Sequence, residues 1–175
     1  QTIAGKQQDV LTFLPKIFGK KVKRIVMNKS YRNTSEIAEY AKSVGGSKDI
    51  QYVARHGKAV ERHAIKTLEK TCKEISEKLK LREEEYETAA ILTMTEKEAE
   101  HIQEIMHKLG AEAHYINRDS AQFKKGLTVT TYYLAKGLEF DQVFVVGGDR
   151  NNKMYQGYQY ICATRALHEL YVYDA

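Results

Sequence analysis

The sequence predicts an α/β domain whose mostly parallel sheet is covered by helices on both faces. Two observations carry this. Short aliphatic runs such as Ala89 to Met94 and Gln142 to Val146 are continuous rather than alternating, as strands buried on both faces require. Between such runs lie segments whose apolar residues recur at helical spacing, and strands separated by helices close into a parallel sheet.

Along the chain, Gln8 to Phe18 carries Val10, Leu11, Leu14 and Phe18 at helical spacing and reads as a lead-in helix. Lys23 to Asn28 reads as a strand, followed by Ser-Tyr-Arg-Asn and a helix from Thr34 to Val44. Asn33 is placed to cap that helix with Glu36 three residues on, and Gly45-Gly46 supplies its left-handed exit. Asp49 to Ala54 is a candidate strand. From Lys58 to Glu85 the stripe Val60, Ala64, Leu68, Cys72, Ile75 and Leu79 predicts one long helix, either lying on the sheet or forming a partner-binding arm. Ala89 to Met94 is a strand, Glu96 to Leu109 a helix closed by Gly110, and His114 to Asn117 a short strand. Leu127 to Tyr133 and Gln142 to Val146 are strands joined by a Lys-Gly turn. Met154 to Leu170 is expected to be helical and to run into Tyr171 to Tyr173. No repeat or low-complexity tract interrupts the pattern.

A chain of 175 residues suits one core. The net charge of +5 and pI near 9.0 favour acidic partners, nucleic acid among them. No stretch approaches the roughly 20 apolar residues of a membrane span. Cys72 and Cys162 lie far apart without CxxC spacing, so core thiols in a reducing compartment, the cytoplasm, are expected. The start at Gln1, with no leader pattern, reads as a segment of a longer protein.

Ligands of open parallel sheets gather at strand carboxyl ends, which directs attention to Ser30 to Asn33, Lys136 to Asp141 and Thr164 to Ala166. Arg32 precedes a helix N-terminus, a corner suited to a phosphate. Tyr31 offers a face for stacking on a base, or fills the edge of the core. Tyr158, Ile161, Cys162, Arg165 and Ala166 share one helical face, so Arg165 should be buried. A buried guanidinium needs an anion: Glu169 or Glu139 within the chain, or a phosphate from a ligand. Glu139 could accept hydrogen bonds from a ribose. There is no GxxxxGK(S/T) loop, no acidic pair suited to magnesium, no metal-ligand spacing among the histidines and no nucleophile set.

Taken together, SYRNTSEI resembles motif IV, TYYLAKGLEFDQVFV motif V and YICATRALHELYV motif VI of UvrD-like superfamily-one helicases. The opening Gln1-Thr2-Ile3 resembles the tail of motif III, which would add Gln1 to the nucleotide contacts. The resemblance implies a RecA-like, P-loop NTPase-type three-layer α/β/α motor domain without its own Walker A loop, spanning 19–175, with 1–18 leading in from the first motor domain. It further implies that Tyr31 stacks on adenine, Arg32 and Arg165 reach the γ-phosphate as catalytic arginines, and Glu139 binds the ribose. ATP would be shared with an N-terminal motor domain of the same parent chain, which would hold the magnesium.

Thr130, Thr131, Tyr133 and Lys136 are candidates for contacting single-stranded DNA, with plain β-propensity as the other reading of the threonines. Many members carry a histidine and a polar residue where Tyr133-Leu134 stands. Only 38–130 separates motifs IV and V, too short for the usual large insertion. The Tyr-Leu-Ala-Lys-Gly and CATRALHEL runs are closer to the HelD-type subgroup, which includes DNA helicase IV relatives and factors that release stalled RNA polymerase. RNA polymerase is therefore the alternative partner, engaged through the helix from Lys58 to Glu85.

Overall fold

The computed structural model describes residues 13, 16–19, 29–45, 51–52, 55–119 and 124–174. Two short strands, β1 (Lys29–Ser30) and β2 (Gln51–Tyr52), pair in parallel. The main sheet comprises β3 (Glu61–Ala64), β4 (Thr88–Thr93), β5 (Ala113–Tyr115), β6 (Gly126–Thr131), β7 (Phe140–Val146) and β8 (Ala166–Asp174). Its order is β3-β8-β7-β4-β6-β5, and every pairing is parallel. Four helices with described bounds accompany the sheet: α1 (Ser35–Ser43), α2 (Leu68–Lys80), α3 (Glu96–Lys108) and α4 (Tyr155–Ala163).

Side chains leave successive strand positions on opposite faces, and this divides the core in two. Ala90, Leu92, Val143, Val145, Leu170 and Val172 pack with Ile37 of α1 and Ile161 of α4. Ala89, Ile91, Phe144, Val146, Tyr171 and Tyr173 pack with Cys72 and Ile75 of α2 and Ile102 and Met106 of α3. Register aligns Ile91, Phe144 and Tyr171 across three strands, and the last two rings stack with centroids 4.8 Å apart. The result is the expected three-layer α/β/α domain. Both cysteines are free and fully buried, as expected of core thiols.

Three expectations change. The helix predicted from Lys58 to Glu85 begins only at Leu68, where the Thr67 side chain accepts the Lys70 amide. Glu61 to Ala64 instead forms an edge strand beside β8. Its alternating Glu-Arg-His-Ala is polar enough to leave an edge in water, and it equally fits a helix face. With Cys72 and Ile75 buried against the sheet, α2 is a covering helix and not an arm.

The helix predicted from Met154 to Leu170 ends at Ala163, and Ala166–Asp174 is a central strand. Leu, His and Glu suit a helix locally, but insertion between β3 and β7 satisfies the backbone on both sides and overrides propensity.

At α1 the N-cap is Thr34, without a side-chain cap bond. The Asn33 amide turns inward, and Glu36 accepts from the Gly57 amide 2.9 Å away. The predicted strand Lys23 to Asn28 lies outside the described residues, and the lead-in helix is described only at Phe13 and 16–18, all helical.

Burial pushes the Cys72 thiol up to about 11 and the fully enclosed Cys162 higher than its ordinary range. At pH 8 both thiols should therefore resist an aromatic disulfide reagent in the folded chain and react promptly once it is denatured. Rapid labelling of either in the native state would contradict this core.

Candidate functional site

Glu139 stands immediately before β7, and Arg165 immediately before β8. These strands are neighbours in register Phe140↔Ala166, and the Phe140 amide donates to the Arg165 carbonyl at 3.0 Å. Backbone pairing thus brings Glu139 and Arg165 to the same edge. Because the strands are parallel, that is the amino edge, whereas the sequence pointed to carboxyl ends. The turn to this edge runs through Gly137, whose φ of 98° lies in a region closed to most L side chains.

Arg165 is only 3% exposed. Its Nη1 donates to the Leu138 carbonyl at 3.1 Å and its Nη2 to the Thr164 hydroxyl at 3.2 Å. Its Nε is buried with no partner among the described residues. Neither carboxylate foreseen for it is engaged with it. Glu169 accepts from Gln142 at 2.9 Å and Tyr171 at 2.5 Å, with Arg82 3.0 Å from its other oxygen. Glu139 pairs with Arg32 at 2.7 Å. Burial lowers the pKa of Arg165, the charge of Arg32 lowers it further, and Glu139 acts in the opposite sense. Arg165 is thus an enclosed cation close to a second one, with no carboxylate bound to it among the described residues.

Arg32 reaches the same edge from the turn between β1 and α1. Its side chain and that of Glu139 are both more than one-third exposed. Tyr31 is 70% exposed, so its ring is presented to solvent and does not fill the core edge. Tyr31, Arg32, Glu139 and Arg165 therefore share a neighbourhood, while Gln1 lies outside the described residues.

The other candidates gather elsewhere. Thr131 pairs in register with Thr93 at the carboxyl edge of β6 and β4. Thr130 is buried and its hydroxyl donates to the Ile116 carbonyl at 2.7 Å; Thr131 is buried too. The half-buried Tyr133 donates to Glu96 at 2.5 Å, and Arg118 lies 3.2 Å from the same carboxylate oxygen. Lys136 is exposed in the turn that crosses to the amino edge.

The sequence reading missed the contacts that seat the Arg32 turn. The Arg55 guanidinium donates to the Arg32 and Leu167 carbonyls, and Asn33 donates to the Ala166 carbonyl. An asparagine before a helix signals a cap, and nothing in Arg-His-Gly signals a buttress.

No family model matches the chain, and no curated protein matches it. Among solved structures, the C-terminal domain of a possible DNA helicase from Lactobacillus plantarum WCFS1 superposes with a TM-score of 0.68 at 24% identity, covering 83% of this chain and 88% of that one. The two share a fold, and the helix-covered, all-parallel sheet is consistent with the RecA-like class expected from the motifs.

Glu36, the carboxylate under this turn, is held at about 2, below the ordinary 4.5, by its hydrogen bond with His56 and then by backbone amides. A depressed carboxyl pKa stabilises the fold above 4.5 and loses that contribution as pH falls toward 2. The urea midpoint of wild type should exceed that of Glu36→Gln near neutrality, and the gap should shrink across that window. A gap independent of pH would show that the carboxylate charge is not involved.

Proposed function

We propose that this chain is the second, C-terminal RecA-like motor half of an ATP-driven DNA helicase or translocase. It supplies Tyr31, Arg32, Glu139 and Arg165 to an ATP site completed by an N-terminal motor domain of the parent chain. The observation that carries the reading is Arg165. Its guanidinium cannot shed its charge, and it stands buried without a carboxylate among the described residues, beside a second arginine. Such a placement costs several kcal/mol unless an anion completes it. A terminal phosphate suits two converging cations, and the exposed Tyr31 ring suits a base. The solved domain of the same fold, described as part of a possible DNA helicase, supports the class.

In this reading Arg165 is preorganised toward the transferring phosphoryl group, whose charge it would stabilise as it develops. Arg32 adds a second cation from a different segment, so closing the two motor halves around nucleotide would depend on both. Bound ATP would supply the phosphoryl group, and the phosphate cradle and magnesium would come from the N-terminal half, because this chain has no GxxxxGK(S/T) loop.

Tyr133 and the exposed Lys136 remain the proposed contacts for single-stranded DNA. Thr130 and Thr131 can contribute only through backbone or by repacking, because both are buried. The Tyr133-Leu134 departure and the CATRALHEL run favour the HelD-type subgroup within the class.

Replacing Arg165 by Met in the full-length protein should lower ATP turnover by about 1,000-fold or more, the scale of lost arginine fingers. The same change should leave the thermal midpoint of the domain level or higher, because it removes an unpaired buried charge. Parental turnover in Arg165→Met would refute the assignment.

A further inference from the structure

We propose that Asn33 and Arg55 are positioning residues that fix the spacing between Arg32 and Arg165; the proposal rests on the ATP-site reading above. Asn33 adjoins Arg32 in the chain and is 5% exposed. Its Nδ2 donates at 2.6 Å to the carbonyl of Ala166, the neighbour of Arg165, and lies 3.5 Å from the Ala163 carbonyl at the end of α4. Arg55 spans the same two stretches. One terminal nitrogen, Nη2, donates to the Arg32 carbonyl at 2.8 Å and to the Leu167 carbonyl at 2.5 Å. Two side chains therefore tie the backbone that carries Arg32 to the backbone that carries Arg165.

Arg55 is itself held in place. Its carbonyl accepts the Ser35 amide at 2.9 Å, and two residues on the Gly57 amide donates to Glu36 at 2.9 Å. Gly57 presses so closely on α1 that a Cβ there would lie 2.5 Å from Thr34 Cγ2. Segment 55–57 is thus a buttress against the first turn of α1, with Arg55 as its hook.

Like charges repel, and Arg32 already disfavours the charged form of Arg165. Two guanidinium groups meant for one phosphate would tend to splay unless their backbones were pinned. An arginine displaced by about 1 Å can cost about 100-fold in rate, so the pins act on turnover more than on binding. Neither Asn33 nor Arg55 needs to touch nucleotide for this.

The test uses the full-length protein with steady-state ATP hydrolysis and thermal unfolding. Arg55→Ala and Asn33→Asp, the second placing a carboxylate oxygen where Nδ2 donates, should each lower kcat by about 10- to 100-fold while KM for ATP changes little. The thermal midpoint of Arg55→Ala should stay close to wild type, whereas Asn33→Asp, which turns a buried carboxylate toward carbonyl oxygens, should melt lower; Arg55→Lys should recover part of the rate through its single ammonium donor. Parental kcat in Arg55→Ala beside an inactive Arg165→Ala overturns the brace alone. A rise in KM at unchanged kcat overturns it too, since Arg55 would then be a binding group. Loss of activity that merely tracks loss of thermal stability, without recovery in Arg55→Lys, also overturns it. Parental activity in Arg165→Ala overturns the ATP-site reading itself, and this proposal falls with it.

Discussion

The parallel pairing of β7 with β8 is the constraint from which the rest of the arrangement follows. It aligns Phe140 with Ala166, so the residues just before each strand, Glu139 and Arg165, are neighbours before any side chain is considered. The register shifts between Phe140 and Gln142, and the residue inside that irregularity is Asp141. Its carboxylate accepts from the Thr88 amide at 2.9 Å and hydroxyl at 2.7 Å and from the Glu87 amide at 3.1 Å, while its own amide donates to the Thr88 hydroxyl. The start of β7 is thereby fastened to the start of β4. The extra residue of this bulge lies on β8, where Leu167 and His168 stand opposite Asp141.

Arg165 is where this fold departs from what stability alone would select. The surrounding core is apolar, and the buried acid Glu169 accepts from Gln142 and Tyr171 at one oxygen and has the Arg82 guanidinium 3.0 Å from the other. Arg165 receives only a carbonyl and a hydroxyl, with Nε left over. The buried acids Glu169 and Asp174 each have a guanidinium beside them, whereas Arg165 has no carboxylate bound to it among the described residues. Under the proposed reading, the partner that completes Arg165 arrives from outside the domain.

What the sequence made legible was whatever depends on residues close together in it. Ala89 to Met94 and Gln142 to Val146 are too continuously apolar for anything but buried elements, and both are strands within a residue or two of the expected bounds. Glu96 to Leu109 carries its own capping box at Thr95 and Glu98, and α3 forms there. The burial of Arg165 was legible from its apolar neighbours, although it sits past the helix end.

The failures share another cause. Glu61 to Ala64 becomes a strand because it finds β8 in the register Arg62↔Val172, and the side chains of Arg62 and Asp174, 112 residues apart, also pair at 2.7 Å. The information that makes Glu61 to Ala64 a strand lies on β8, outside any local window, and Ala166 to Asp174 takes its place from β3 and β7 together. The inward turn of Asn33 is of the same kind, for its acceptor lies on β8.

The two arginines stand in opposite energetic positions, and this is what would make a shared nucleotide site workable. Arg165 is enclosed and already desolvated, so an arriving phosphate would meet a cation that needs no reorganisation. Arg32 is half exposed and bound to Glu139, and a surface ion pair of that kind contributes about 0–1 kcal/mol. A nucleotide engaging Glu139 through its ribose and Arg32 through its terminal phosphate would have to separate them, at a cost small beside the gain of two charge-assisted contacts. The Glu139 carboxylate paired with Arg32 also favours the charged form of Arg165, opposing the effect of Arg32 on it. One arginine is therefore fixed and the other exchangeable. Under the proposed reading, a site that must both hold a phosphate tightly and let it go would use one of each.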